Sequence, residues 1–305
     1  MTTGAGNNAV FVGALAEDGP WPRLEVLRHG PFPCPGTAGP DGVFDDARTL
    51  LHVTPDFDPA QPFLIVAFFH GWCATLTHRI GGSRYHVVET YRLLEQVDAS
   101  GLNAVVVAPQ FARDADTDVV DTPGHPGRFA EPGGFARFLD EATAHVARRR
   151  GDDPARYGSA PVALASFSGG FRAAAKALTV GGVSDRVIGF LGLDTIYGET
   201  EAFASWFATN HRRAFIAAVY TGGREHDFAS AAPTLDLARA IAARRLPGVR
   251  VRDSLPRRLR PGIAAFQHVG DPDLHLDLVA SGWRRFNTPV RRLLARLPGF
   301  TRTGG

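Results

Sequence analysis

Cysteine is scarce in this chain. Cys34 and Cys73 are the only two in 305 residues, and no Cys-x-x-Cys occurs. That excludes a disulfide framework and a thiol redox motif; one disulfide is allowed but not required. No stretch approaches 18 apolar residues, so no membrane span is expected. Residues 1–8 lack both a basic region and an apolar run, which excludes a secretory signal at that point and makes a cytoplasmic protein the expectation. Lysine is nearly absent, with Lys176 alone among the arginines, but formal net charge is only +2, which argues against nucleic acid or an acidic partner. There is no Gly-x-Gly-x-x-Gly after the first strand and no Gly-x-x-x-x-Gly-Lys-Ser/Thr, so phosphate-cradling loops are excluded. There is no His-Glu-x-x-His and the eleven histidines are dispersed, so neither metal nor cofactor is expected.

Hydrophobic content of 44% is enough for a sizeable core, and it is distributed in a telling way. Residues 63–69 and 103–109 are continuous apolar runs of strand length, rich in branched and aromatic side chains. Such runs are buried on both faces, as in a parallel sheet. Further strands are expected at 24–27, 49–54, 162–165, 187–193, 214–220 and 263–269, with an edge strand at 249–253. Between them, helical spacing appears at 87–99, 135–150, 200–207 and 234–245, and again at 276–286 and 290–297. Strand and helix alternate, which is the pattern of a doubly wound, mostly parallel α/β sheet, with ligands at the carboxyl ends of the strands. The short basic clusters at 148–150, 257–260 and 284–285 read as solvated faces, and the amphipathic helix at 290–297 as packed on the domain.

The centre of the pattern is residues 161–178. Val162 to Ala165 is a short buried strand, and Arg172 to Leu178 has helix-forming composition. Only Ser166-Phe167-Ser168-Gly169-Gly170 turns the chain between them. A five-residue strand-to-helix turn with serine at its middle resembles the nucleophile elbow of the α/β-hydrolase fold, usually written Gly-x-Ser-x-Gly. Ser166 stands in place of the first glycine. The resemblance covers about residues 50–286 by strand order. It implies one α/β-hydrolase domain over 1–305, a mostly parallel doubly wound sheet flanked by helices, and a serine hydrolase cleaving an ester or amide. Acyl transfer, peptide or thioester cleavage, and a non-catalytic binding protein on the same fold stand as alternatives.

The chemistry then assigns roles by position. A serine hydroxyl needs a base, and the base needs a carboxylate to set its tautomer. Ser168 is the nucleophile. His275, in a loop-like setting past the last strand, is the base; His268, inside an apolar run, is the alternative. For the acid, the fold's usual position points to Glu225 or Asp227, in a mixed-charge turn. Asp194 is favoured because it is a lone carboxylate at the end of a buried strand, which must be paired. Its other reading is a helix cap. By resemblance, the oxyanion hole comes from the backbone N–H groups of Gly169 and Trp72, the latter just past His70-Gly71, with His70 tying down that loop. Residues 111–134 cannot form a regular element and are expected to cover the site as a lid, with Phe111 and Phe129 offering apolar contact. The expected partner is a small-molecule or peptide acyl substrate.

Overall fold

The computed structural model describes residues 21–32, 46–79, 83–112, 125–222, 230–270, 274–280 and 289–302. Its central sheet has nine strands. In chain order these are β1 (Arg23–Val26), β2 (Arg48–Val53), β3 (Leu64–Phe69), β6 (Ala104–Pro109), β7 (Val162–Phe167), β8 (Val187–Leu193), β9 (Phe215–Thr221), β10 (Arg250–Arg252) and β11 (Ile263–Gly270). The short strands β4 (Ala74–Thr75) and β5 (Tyr85–His86) pair with each other in a separate two-stranded sheet. Across the large sheet the order is β1-β2-β6-β3-β7-β8-β9-β11-β10. β2 runs antiparallel to β1 and β6, and every other neighbouring pair is parallel. This is the mostly parallel, doubly wound α/β-hydrolase architecture.

The helices are α1 (Leu93–Asp98), α2 (Gly134–Arg150), α3 (Ala155–Gly158), α4 (Phe171–Thr179), α5 (Thr200–Asn210), α6 (Ala231–Ala243) and α7 (Pro289–Leu294). Successive side chains of a strand point to opposite faces, and the core divides accordingly. Ile65, Ala67 and Phe69 of β3 join a cluster with Phe135, Phe138, Phe171, Phe203 and Ile241 from α2, α4, α5 and α6. Leu64, Val66 and Phe68 join a second cluster with Leu93, Val97, Val290 and Leu293 from α1 and α7. All six residues of β3, β6 and β7 are buried, which is why their sequences show no polar alternation. The edge strand β10 has the opposite character: its three residues Arg-Val-Arg are all exposed. Charges there discourage pairing with another chain.

Besides α7, which ends at Leu294 and not at 297, two helices are cut well short of what their spacing predicts. The helix expected over 87–99 begins only at Leu93, because Arg92 takes a left-handed conformation with φ of 51°. Val87 and Tyr91 are buried by turns instead, with Tyr91 packed against Phe68 and Phe167. The helix expected over 276–286 is a single 3-10 turn at Leu276–Leu278 within the described residues. Among the described residues, no helix is long and apolar enough to cross a membrane.

The chain leaves β3 to form β6 on one side, then returns to form β7 on the other. The carboxyl ends of β3 and β7 therefore flank a point where the winding reverses. Crevices in open α/β sheets form at such points.

Candidate active site

Ser168 follows β7 directly and begins a 3-10 turn, Ser168–Gly170, that leads into α4. Its φ is 49°, in the left-handed region that non-glycine residues rarely occupy. Such a conformation costs about 1–3 kcal/mol and persists only where surrounding contacts hold it. The turn is possible because the backbones close in on one another. A β-carbon at Gly170 would lie 2.8 Å from the Phe69 carbonyl oxygen and 2.9 Å from that of His70. One at Gly71 would lie 2.6 Å from Ser168 Cβ and 3.2 Å from the Phe167 carbonyl oxygen. The segment after β3 thus runs beside the serine, and Trp72 comes next in it with its residue surface 51% exposed. We expect Gly71→Ala to cost about 1–3 kcal/mol of stability by overpacking. Thermal melting checks this; an unchanged melting temperature would mean the segment has room to move away.

His70 anchors that segment. Its ring is fully buried, and its Nε2 accepts hydrogen bonds from the Phe111 N–H at 2.8 Å and Gln110 Nε2 at 3.1 Å. The proton therefore sits on Nδ1, which donates to the Gly71 carbonyl at 2.9 Å. Gln110 completes the tie: its Oε1 accepts from the Leu76 N–H at 2.9 Å and its Nε2 donates to the Phe111 carbonyl at 2.7 Å. Burial lowers the pKa of His70 to about 4 from the ordinary 6.5, so the ring is neutral at pH 7. The unfolded chain takes up this proton as pH falls below 6.5, while the folded chain resists it. Stability from this source is therefore complete above pH 6.5 and falls as pH drops toward 4, by about 3 kcal/mol in all. Melting temperatures between pH 7 and pH 4 should fall less steeply in His70→Gln than in the native protein; parallel curves would overturn this.

His275 lies past β11, at the start of the Leu276–Leu278 turn. Its Nε2 is 3.0 Å from Ser168 Oγ, and its Nδ1 is 2.7 Å from Asp194 Oδ2. The imidazole stacks on Phe167, with ring centroids 4.6 Å apart and planes at 27°, and Tyr197 approaches it edge-on at 6.4 Å. The His275 side chain is one-third exposed, while Asp194 is 1% exposed.

Asp194 follows β8 with φ of 44°, like Ser168 in the left-handed region that non-glycine residues rarely occupy. It is not a cap, since α5 starts only at Thr200. Its carboxylate is fully engaged. Oδ1 accepts from the Thr221 N–H at 2.9 Å and from the Ser230 hydroxyl; Oδ2 accepts from the Thr221 hydroxyl at 2.5 Å and from His275. Burial pushes the carboxyl pKa up, but the hydrogen bond and charge of His275, with the hydroxyls of Ser230 and Thr221, outweigh it and hold the pKa below the ordinary value. The group stays ionised. With a carboxylate on its Nδ1 side, His275 carries its proton there and leaves Nε2 free to accept the Ser168 hydroxyl proton. Burial and the Asp194 charge raise the Tyr197 hydroxyl pKa, so that phenol stays neutral.

The structure thus brings Ser168, His275 and Asp194 together, with Gly169 next to Ser168 and Trp72 next to Gly71. It does not bring His268 to them. That residue is exposed on β11 and its Nε2 bonds the Gly222 carbonyl at 3.0 Å. Glu225 and Asp227 lie outside the described residues. Much of the expected lid, 113–124, also does. Phe111 and Phe129 do not reach over a pocket: both are buried in an aromatic cluster with Phe69, Phe135 and Phe138. Gln110, Thr195, Thr221 and Ser230 are site residues that sequence reasoning passed over. Only Gln110 carried a signal, as an amide at the end of an apolar run. Among the described residues, no three His, Cys, Asp or Glu side chains are grouped so as to hold a metal ion.

No protein-family model matches the sequence, and no curated protein matches it. Several solved structures are similar. An uncharacterised protein from Capnocytophaga ochracea matches at a TM-score of 0.47 and 12% identity, over 85% of this chain and 61% of that one. A thermostable esterase matches at 0.42 and 13%, over 80% of this chain and 55% of that one. The feruloyl esterase module from Clostridium thermocellum matches at 0.41 and 14%, over 83% and 82%. The chain spans less than two thirds of the first two. The fold stands on strand order and pairing sense, not on these remote likenesses.

Proposed function

We propose that this protein is a serine hydrolase that cleaves a carboxylic ester or amide through an acyl-serine intermediate. The observation that carries the reading is the hydrogen-bonded series Ser168–His275–Asp194, with its serine on a left-handed turn between strand and helix. In the first half-reaction Ser168 Oγ attacks the acyl carbon as its proton passes to His275 Nε2. The negative charge that develops on the former carbonyl oxygen is met by the N–H groups of Gly169 and Trp72. The carbon–heteroatom bond breaks, and the proton on Nε2 goes to the leaving oxygen or nitrogen. Water, giving a proton to the same nitrogen, then attacks the acyl-serine; the acyl–Oγ bond breaks, the proton passes from Nε2 to Ser168 Oγ, and the carboxylic acid leaves. Asp194 offsets the charge of the imidazolium throughout and is not itself protonated. No cofactor enters any step.

A fluorophosphonate probe tests this. The expected result is covalent modification at one residue, Ser168, blocked by heat unfolding, together with hydrolysis of a short-chain p-nitrophenyl ester. A folded protein that neither reacts with the probe nor hydrolyses such an ester would sink the reading and favour a binding role for the same fold.

A further inference from the structure

We propose that Thr195 is a positioning residue that aims the Gly169 N–H, and that Ser166 completes its hydrogen-bonded strut. The catalytic consequence rests on the serine-hydrolase reading above; the strut itself does not.

Thr195 Oγ1 donates to the Ser168 carbonyl oxygen at 2.8 Å. A hydroxyl has one hydrogen, so the 2.9 Å contact between Thr195 Oγ1 and Ser166 Oγ is donated by Ser166. The result is a directed chain from the Ser166 hydroxyl through the Thr195 hydroxyl to the Ser168 carbonyl. Both side chains are buried, Ser166 at 0% and Thr195 at 1% exposure. Thr195 directly follows Asp194, so this one hydroxyl joins the two left-handed turns that carry the nucleophile and the acid.

The Ser168 carbonyl and the Gly169 N–H belong to one planar trans peptide group and point in opposite directions. Whatever fixes that carbonyl fixes the N–H. A donor on the carbonyl oxygen also polarises the amide and strengthens its N–H as a donor. Thr195 therefore acts on the oxyanion through Gly169 without touching the substrate.

The same contacts account for serine where a glycine is usual. A buried hydroxyl needs a partner. Thr195 supplies it, and a β-carbon at Gly170 would lie 2.8 Å from Ser166 Oγ, so Gly170 leaves the hydroxyl its space. The methyl of Thr195 sits over Gly192, 3.3 Å from where a β-carbon on that glycine would be. With its methyl so placed, the stiff threonine side chain turns its hydroxyl toward the elbow.

The test uses Thr195→Val, Thr195→Ser, Ser166→Ala and the Thr195→Val/Ser166→Ala double variant in the full chain. Losing an oxyanion donor outright costs about 10² to 10³-fold in kcat; misaiming one should cost about 10 to 100-fold. Thr195→Val should therefore lose about 10 to 100-fold in kcat and in the rate of phosphonylation, with KM within about twofold. Thr195→Ser should restore activity to within about threefold, and Ser166→Ala, which leaves the Thr195 hydrogen bond in place without its support, should lose kcat measurably but less than Thr195→Val. The double variant should be no worse than Thr195→Val, since Ser166 acts only through Thr195. Full kcat in Thr195→Val, a loss confined to KM, or failure of Thr195→Ser to restore turnover would overturn the proposal. Thr195→Ala replaces Thr195→Val should the latter not fold. Amide hydrogen exchange over residues 168–171 gives a readout independent of chemistry. Faster exchange in Thr195→Val supports the strut, and unchanged exchange overturns it, even if the native protein proves inert to ester and probe and the hydrolase reading alone falls.

Discussion

Ser168→Ala is expected to lower kcat by about 10⁴ to 10⁶-fold and to abolish phosphonylation, while the protein melts as before. The size follows from the arrangement. His275 Nε2 has Ser168 Oγ at 3.0 Å as its hydroxyl partner, so the alanine variant keeps a base with no nucleophile to deprotonate. On the proposed reading, what survives is water attacking beside the Gly169 and Trp72 N–H groups. Stability should hardly change, because Ser168 is only half-buried and the variant removes one oxygen. If anything it should rise slightly, since alanine leaves no hydroxyl to order. Ester hydrolysis under saturating substrate, with melting followed by circular dichroism, decides the matter. Turnover within tenfold of the native protein would end the serine mechanism. Ser166 would not inherit the role, because its hydroxyl is buried and committed to Thr195.

The next largest effect belongs to Asp194→Asn, about 10³ to 10⁴-fold in kcat. Asp194 accepts from Thr221 twice, from Ser230 and from His275. A carboxylate has room for these four donors, but an amide does not: one end of asparagine is itself a donor. If the amide nitrogen turns toward Ser230 and the Thr221 N–H, two donors face a donor; if it turns toward His275, the imidazole is pushed into the wrong tautomer. Either orientation leaves buried polar groups unpaired, at about 1–3 kcal/mol each, so this variant should also melt at a lower temperature. Acting through the tautomer, it should lower kcat far more than it raises KM. Glu225→Gln and Asp227→Asn should each leave kcat within about threefold. A crippling loss in either of those, with Asp194→Asn near native, would move the acid to that residue.

The strands and the serine turn were legible because they are local. A run such as Leu64–Phe69 is buried on both faces, so composition alone marks it. The Ser168 turn is likewise written in consecutive residues: an apolar run, three small residues around a serine, and an alanine-rich helix. The spacing over 87–99 mimics a helical stripe because Val87 and Tyr91 are buried, although turns and not a helix bury them. Phe111 and Phe129 flank a polar stretch, which in sequence looks like cover for a pocket; their partners, Phe69 on β3 and Phe135 and Phe138 on α2, pull them into the core.

By itself the sequence determined the alternating order of strands and helices, the elbow with Ser168 at its centre, and a short set of histidines and carboxylates at strand ends. It favoured His275 and Asp194 within that set but could not show that they meet Ser168. Each choice depends on which ends the sheet places side by side, and strand order is set by packing across the whole chain. Only the tertiary structure put His275 against Ser168 across 107 residues of sequence and Asp194 against His275 across 81, while leaving His268 exposed on β11. It alone recruited Thr195, Thr221 and Ser230. A buried hydroxyl and a solvated one look the same in sequence, and only the neighbours brought in by folding decide what each must donate to.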